Sequence, residues 1–358
     1  MLTIIIPTMN RSEFLIRLLN YYADANYKHH ITIGDSSNSF HAEKTKDEIK
    51  KIGVKLKITY KEYPGESCFA VQKQLIQSVT TPYIVSLPDD DFLVPNSLDK
   101  CIDYLETHHE YIAAHGIGAI LSLEASGPYG ECLGVGEYRQ PKIENELASQ
   151  RLLEYLMHYS ASVFSVHRTG AFKVMWPDAY SSNDNPFGEL LPCCLSVILG
   201  KIKQLNCFYL VRHVHDNRYL SPDMFDWITN PNWLSSYQKF SNYLVEELVK
   251  KDGIATDKAR EIVKQAFWGY LNKGLVKKYN NRYIGKASLG ILNVTAKLKA
   301  ALKMYPVSRK ALSVSRKVIR SINSRGLSLE ALLSPRSSYH ADFMPIYRSV
   351  AAKDNASD

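Results

Sequence analysis

Tyr83-Ile84-Val85-Ser86-Leu87-Pro88-Asp89-Asp90-Asp91-Phe92 decides how the rest of the chain is read. The apolar run is short, β-branched and bounded by Pro82 and Pro88, as a buried strand is, so the three carboxylates fall just past its end. Open α/β sheets bind ligands there. Like charges this close repel and call for a compensating cation; an all-oxygen site suits Mg²⁺ or Mn²⁺, the usual carriers of a diphosphate. The competing reading is an acidic, solvated turn that merely ends the strand.

Upstream, strands alternate with helices. Leu2 to Ile6 is a β-branched run stopped by Pro7, as expected for a strand buried on both faces. Thr8 to Glu13 opens a helix that Asn10 or Ser12 can cap, with Phe14, Leu15, Leu18, Leu19 and Tyr22 at helical spacing. Ile31 to Ser37 supplies a second strand with Asp35 at its end, and Lys57 to Tyr60 a third before a Pro64-Gly65 turn. Cys68 to Ser78 reads as the helix leading into the acidic strand. The alternation predicts a nucleotide-binding α/β half.

Downstream, the pattern Phe92 to Leu98 starts another helix, with Leu98, Ile102 and Leu105 on one face. Gly116 to Gly136 reads as strands or a hairpin, Leu147 to Met157 as a helix and Ser162 to Val166 as a strand. A polar loop from Ser181 to Glu189 precedes the apolar helix Leu190 to Leu199. The strand Cys207 to Val211 then delivers Arg212-His213-Val214-His215. His213 and His215 are expected on opposite faces, so that one of them reaches a metal. After Tyr219 the alternation stops, and Trp227 to Lys251 and Asp257 to Tyr279 read as helices, which puts a domain boundary near residue 220.

At 358 residues the chain can build a large core without staples. Its six cysteines show no metal-type spacing and read as free thiols of a reducing compartment. The opening Met1-Leu2-Thr3-Ile4 lacks the basic lead-in of a secretory signal, and no stretch reaches the roughly 18 to 20 apolar residues of a membrane span, so a cytoplasmic protein is expected. Net charge is +8, unevenly spread: between Glu261 and Glu330 lie 15 of the 44 Lys and Arg and no acidic residue. There, Ile291, Val294, Leu298 and Leu302, and again Leu312, Val318, Ile319 and Ile322, make apolar stripes beside Lys and Arg. A basic amphipathic helix can lie on an anionic membrane surface, pack with its charges solvated, or contact nucleic acid, the least favoured of the three.

Taken together, Ile4 to Arg11, Thr32 to Ser37 and Thr81 to Pro95 resemble, in order and spacing, the motifs of family-2 nucleotide-sugar glycosyltransferases with the GT-A fold. The resemblance covers roughly residues 1 to 220. It implies an α/β fold with a mixed, mostly parallel sheet and flanking helices; residues 221–358 carry no such resemblance and read, from their own pattern, as a helical, basic C-terminal region. It implies nucleotide contacts from Pro7, Thr8, Asp35 and Asp89. Arg11 can approach the pyrophosphate or lie in solvent, and Lys73 can touch the nucleotide or be a solvated helical lysine. Within the triplet, Asp-x-Asp spacing favours Asp89 and Asp91, whereas distance back from Pro95 favours Asp90. Asp89 is assigned to the ribose and Asp90 or Asp91 to Mn²⁺ or Mg²⁺, with His215 as a further metal ligand. The carboxylate that accepts the acceptor's proton maps onto Glu189, with Asp184 as substitute; the family often has an adjacent acidic pair there, and this sequence has Gly188-Glu189.

The expected activity is metal-dependent inverting transfer of a hexose-type unit from a UDP-, GDP- or dTDP-sugar to a glycan or lipid-linked hydroxyl, in surface polysaccharide or glycolipid assembly, by a cytoplasmic enzyme that can sit peripherally at a membrane. The alternatives are a sugar-nucleotide nucleotidyltransferase, which needs a Gly-rich, Arg-containing loop that Pro7-Thr8-Met9-Asn10 does not supply, and a non-catalytic nucleotide-sugar-binding scaffold.

Overall fold

The structure, a computed structural model, describes residues 1–177, 185–216, 218, 222–279 and 327–351. Asp184 and the basic stretches 291–302 and 309–322 lie outside the described residues.

β1 (Leu2–Thr8), β2 (His30–Asp35), β3 (Lys57–Glu62) and β4 (Tyr83–Ser86) pair in parallel in the order β3-β2-β1-β4. Ile4, Ile5, Ile6, Ile31, Ile33, Ile84 and Val85 are fully buried, which is why these strands read as unbroken apolar runs. Helices α1 (Ser12–Asp24), α2 (Ser39–Ile52) and α3 (Cys68–Ser78) alternate with them. α3 lies so close on β2 that a Cβ at Gly34 would sit 2.4 Å from Val71 Cγ1.

Past β4 the sheet becomes mixed. The two-residue strand β5 (Phe92–Leu93) runs antiparallel to β9 (Lys201–Val214), and α4 (Pro95–Thr107) follows it with Pro95 in its first turn. β6 (Tyr111–Leu123) runs parallel to β9 and antiparallel to both β7 (Cys132–Tyr138) and β8 (Val166–Arg168), and β8 also pairs with β4. A Cβ at Gly116 would lie 2.3 Å from the carbonyl of Cys207, so glycine permits the close passage of β6 along β9. The α/β class with a mixed sheet and flanking helices is thus the one expected.

A helical layer completes the described chain: α5 (Ala148–Met157), the short α6 (Thr169–Val174), α7 (Asn185–Leu199), α8 (Met224–Ile228), α9 (Trp233–Asp252) and α10 (Thr256–Tyr279), with α5, α7, α9 and α10 packed on one another. Buried Arg151 of α5 donates to the carbonyls of Val197 (2.6 Å) and Ile198 (2.9 Å), satisfying the open end of α7. Asp252 accepts from the N–H groups of Ala148 and Ser149, both 2.8 Å, capping α5 from the end of α9. Further on, α11 (Leu329–Leu333) and α12 (His340–Val350) return to the sheet side: α12 packs on α1, and the N–H of Gly130 donates to the carbonyl of Val350. No helix among the described residues is long and apolar enough to cross a membrane.

Several local expectations are corrected. Neither Asn10 nor Ser12 caps α1: Arg11 takes the cap position without a side-chain bond to the helix, Asn10 sits in the left-handed region at φ 56°, and the Ser12 hydroxyl meets His41 Nδ1 at 2.9 Å. Ser162 to Phe164 forms a tight helical turn, and the strand follows it at Val166. α7 begins at Asn185, so Glu189 lies in its second turn, beyond the first turn where the helix dipole favours a carboxylate. His213 and His215 share a face, as residues two apart on an extended chain do, with ring centroids 4.9 Å apart and both against Phe14.

Candidate active site

The triplet fills the tight turn between β4 and β5. Because β5 is stitched to β9, the turn is pressed against the end of β9, and because β1 neighbours β4, it also faces the β1–α1 turn. Asp89, Asp90 and Asp91 are all buried, so the solvated-turn reading fails. Each carboxylate has its own partners. Asp89 accepts from the Thr8 hydroxyl (2.6 Å) and from the Arg11 guanidinium, which also reaches Asp90 (3.1 Å). Asp90 meets His215 Nε2 at 2.9 Å. Asp91 accepts from Arg212 Nε and from the His213 backbone N–H, both 2.9 Å.

The electrostatics follow from this partition. Burial, opposed by Arg11 and reinforced by Asp90, lifts the Asp89 carboxyl to about 6. Burial likewise lifts Asp91 to about 6 against the pull of Arg212. For Asp90, burial acts upward but the hydrogen bond from His215 and the charge of Arg11 outweigh it and hold it below the usual carboxylate range. Burial opposes the charge on Arg11 and Arg212 too, yet their Asp partners raise both above the ordinary guanidinium value.

Arg17 stands behind the turn. It is a fully buried arginine on the apolar face of α1, donating to the carbonyls of Asp90 and Pro128, both at 2.6 Å, and meeting His213 Nδ1 at 3.2 Å between the rings of Phe14 and Phe92. It orders the backbone that presents the triplet. Its spacing with Phe14 and Leu18 was the sequence signal, a cation on a face that should be apolar.

At the neighbouring strand end, Asp35 is buried and accepts from the Tyr60 hydroxyl (2.7 Å) and the Ser37 N–H (2.8 Å); the Ser36 N–H donates to the Thr8 carbonyl. Register pairs Thr8 with Asp35 and Pro7 with Gly34. Pro7, Thr8, Arg11, Asp35 and Asp89 are therefore brought together at one edge of the sheet. Tyr60 was missed because nothing in a short strand marks which side chain will reach its neighbour's last residue. Lys73 donates to the carbonyl of Pro177 at 3.3 Å.

Glu189 is exposed and accepts from the Tyr159 hydroxyl at 2.7 Å. Burial first, and then the negative Glu189, push the Tyr270 phenol up. Tyr138 belongs to the acidic-turn side: its ring centre lies 5.1 Å from the Arg212 guanidinium that holds Asp91, and burial pushes its phenol up against the pull of Arg212. Neither Arg212 nor the tyrosines carried a motif.

Among the described residues no three His, Cys, Asp or Glu side chains converge as a ready-made cage. Asp90 and His215 do meet, and among the described residues His215 Nδ1 and His213 Nε2 are buried without a hydrogen-bond partner. A carboxylate and imidazole beside a diphosphate form a donor set that Mn²⁺ accepts, and a small divalent ion commonly takes only one or two protein ligands with phosphate oxygens and water completing its shell. The residues fit such an ion at Asp90 and His215; Asp91 is turned instead to Arg212 and the His213 N–H.

No protein-family model and no curated protein matches the chain. Solved structures of S. aureus TarS are similar: one at 13% identity over 74% of this chain and 42% of that chain (TM-score 0.46). TarS 1–349 is 12% identical over 78% and 73% (TM-score 0.49), and the same fragment in complex with UDP-GlcNAc is 12% identical over 78% and 91% (TM-score 0.42). The chain thus spans less than half of the longer TarS chain. The chemistry of the site stands on its own geometry.

Proposed function

We propose that the protein is a glycosyltransferase that takes a sugar from a nucleoside diphosphate donor. The observation that carries this reading is the convergence of Thr8, Arg11 and Asp89, with Asp35 one strand away, at the carboxyl edge of a parallel sheet. Asp35 and Asp89 are acceptors for base N–H and ribose hydroxyl groups. Arg11 is a bidentate cation within reach of a diphosphate. Mn²⁺ or Mg²⁺ held by Asp90 and His215 would neutralise the departing diphosphate. Glu189 is the base: it takes the proton of the acceptor hydroxyl as that oxygen bonds to the anomeric carbon, whose bond to the diphosphate oxygen breaks with the electron pair leaving on the nucleotide. Attack opposite to the leaving group inverts the anomeric centre. The polysaccharide or glycolipid acceptor and the membrane-facing role of the basic C-terminal region belong to the same proposal.

The test is transfer and binding with UDP-, GDP- and dTDP-sugars, beginning with UDP-GlcNAc, with and without Mn²⁺. Glu189→Gln should lower kcat by about 10²- to 10⁴-fold and leave donor affinity unchanged. Donor binding that persists in a protein with Asn at 89, 90 and 91 would sink the reading.

A further inference from the structure

Next to Glu189 a cleft of about 730 Å³ opens between β7, α5 and α10. Two of its walls are Tyr159 and Tyr270, whose rings lie edge to face at 5.3 Å. Tyr159 is also the residue that holds the Glu189 carboxylate, so the cleft and the candidate base share a wall. The rest of the lining is basic in balance. Arg139 pairs with Glu137 across 2.9 Å and the two cancel. Lys273 and Lys277, one turn apart on α10, have no carboxylate partner among the described residues; Lys273 donates to the neutral carbonyl of Met157 at 2.6 Å, and His158 adds a titratable ring. Among the described residues Glu137 is the one carboxylate that lines the cleft, with Glu189 behind Tyr159, and Arg139, Lys273 and Lys277 outnumber the two.

We infer that this cleft seats the acceptor, and that the acceptor carries a phosphate group near the hydroxyl that reacts. The inference rests on the glycosyltransferase reading of Glu189. Tyr159 and Tyr270 offer the flat, hydroxyl-tipped surfaces on which sugar rings lie. Lys273 and Lys277 offer two flexible ammonium groups suited to a phosphate as point charges. A neutral acceptor would leave both cations unused. The phosphate can belong to a soluble phosphoglycan or to a lipid headgroup, and the experiment separates the two.

Full-length protein saturated with UDP is titrated with glucose 6-phosphate and with glucose, and separately mixed with vesicles of phosphatidylcholine with and without phosphatidylglycerol. The expected result is binding of glucose 6-phosphate at least about tenfold tighter than glucose, weakening as salt is raised. Lys273→Ala with Lys277→Ala removes the preference, with UDP affinity unchanged; Lys277→Ala alone, which leaves the Met157 contact intact, reduces it. A preference seen only for the anionic vesicles, and lost in the double variant, supports the same phosphate chemistry presented by lipid. Equal binding of the two sugars with no vesicle preference overturns the inference, as does a preference that survives the double substitution. A phosphate preference in a protein that fails to bind UDP would retain the anion site and strike only the donor reading.

Discussion

The carboxylates of the acidic turn and the aromatic cluster of the helical layer are both buried, and they are held by opposite means. In the turn, three carboxylates sit among three arginines, with Asp89 and Asp91 lifted to about 6 by burial and each answered by one guanidinium. In the cluster, Phe187 of α7 lies 4.9 Å from Trp227, 5.2 Å from Phe240 and 5.8 Å from Phe267, ring centre to ring centre. Burying paired charges returns little net stability because desolvation cancels most of the attraction, whereas each buried aromatic contributes several kcal/mol. The molecule therefore separates the two tasks: its stability resides in the helical layer and sheet core, and its electrostatic strain in the turn.

Three substitutions press on that separation. Phe187→Ala should cost about 4 kcal/mol in denaturant unfolding, with donor affinity of the folded protein unchanged; a loss of donor binding without loss of stability would erase the contrast. His167, buried on β8, has its imidazole held down to about 4 by burial and then by His115. Its folded form binds the proton less readily than the unfolded chain at about 6.5, so its contribution is fully present above pH 6.5 and disappears as pH falls towards 4, roughly 3 kcal/mol in all. His167→Gln should flatten that part of the stability profile; an unchanged slope would show that burial of this imidazole does not set the acid sensitivity. Asp89→Asn should lower UDP affinity by about 100-fold, since charge-assisted bonds are lost, while shifting the melting temperature by no more than about 3 °C. A collapse of stability instead would mean that the turn holds the fold together.

The same contrast explains what was legible in the sequence. Runs such as Leu2 to Ile6 and Tyr83 to Val85 have one physical solution, a doubly buried strand, and their order gave the parallel half of the sheet. Asp35 and the triplet were readable because carboxylates at strand ends are chemically loud. Arg212, Tyr60 and Tyr159 were not, because each acts across the fold on a residue 25 to 121 positions away in sequence. The start of α7 was misjudged because Pro186 and Gly188 read as loop, although a proline in the first turn of a helix gives up no hydrogen bond.

The seat of α12 on α1 bears on how the chain is made. More than 300 residues separate the two helices, and at roughly 5 to 20 residues per second α1 waits between about 15 seconds and a minute on the ribosome before its cover emerges. During that interval Phe343, Ile346 and Val350, all buried in the finished protein, have not yet been synthesised. A nascent chain stalled before residue 340 should therefore recruit holdase chaperones at α1, and release them only once α12 has emerged.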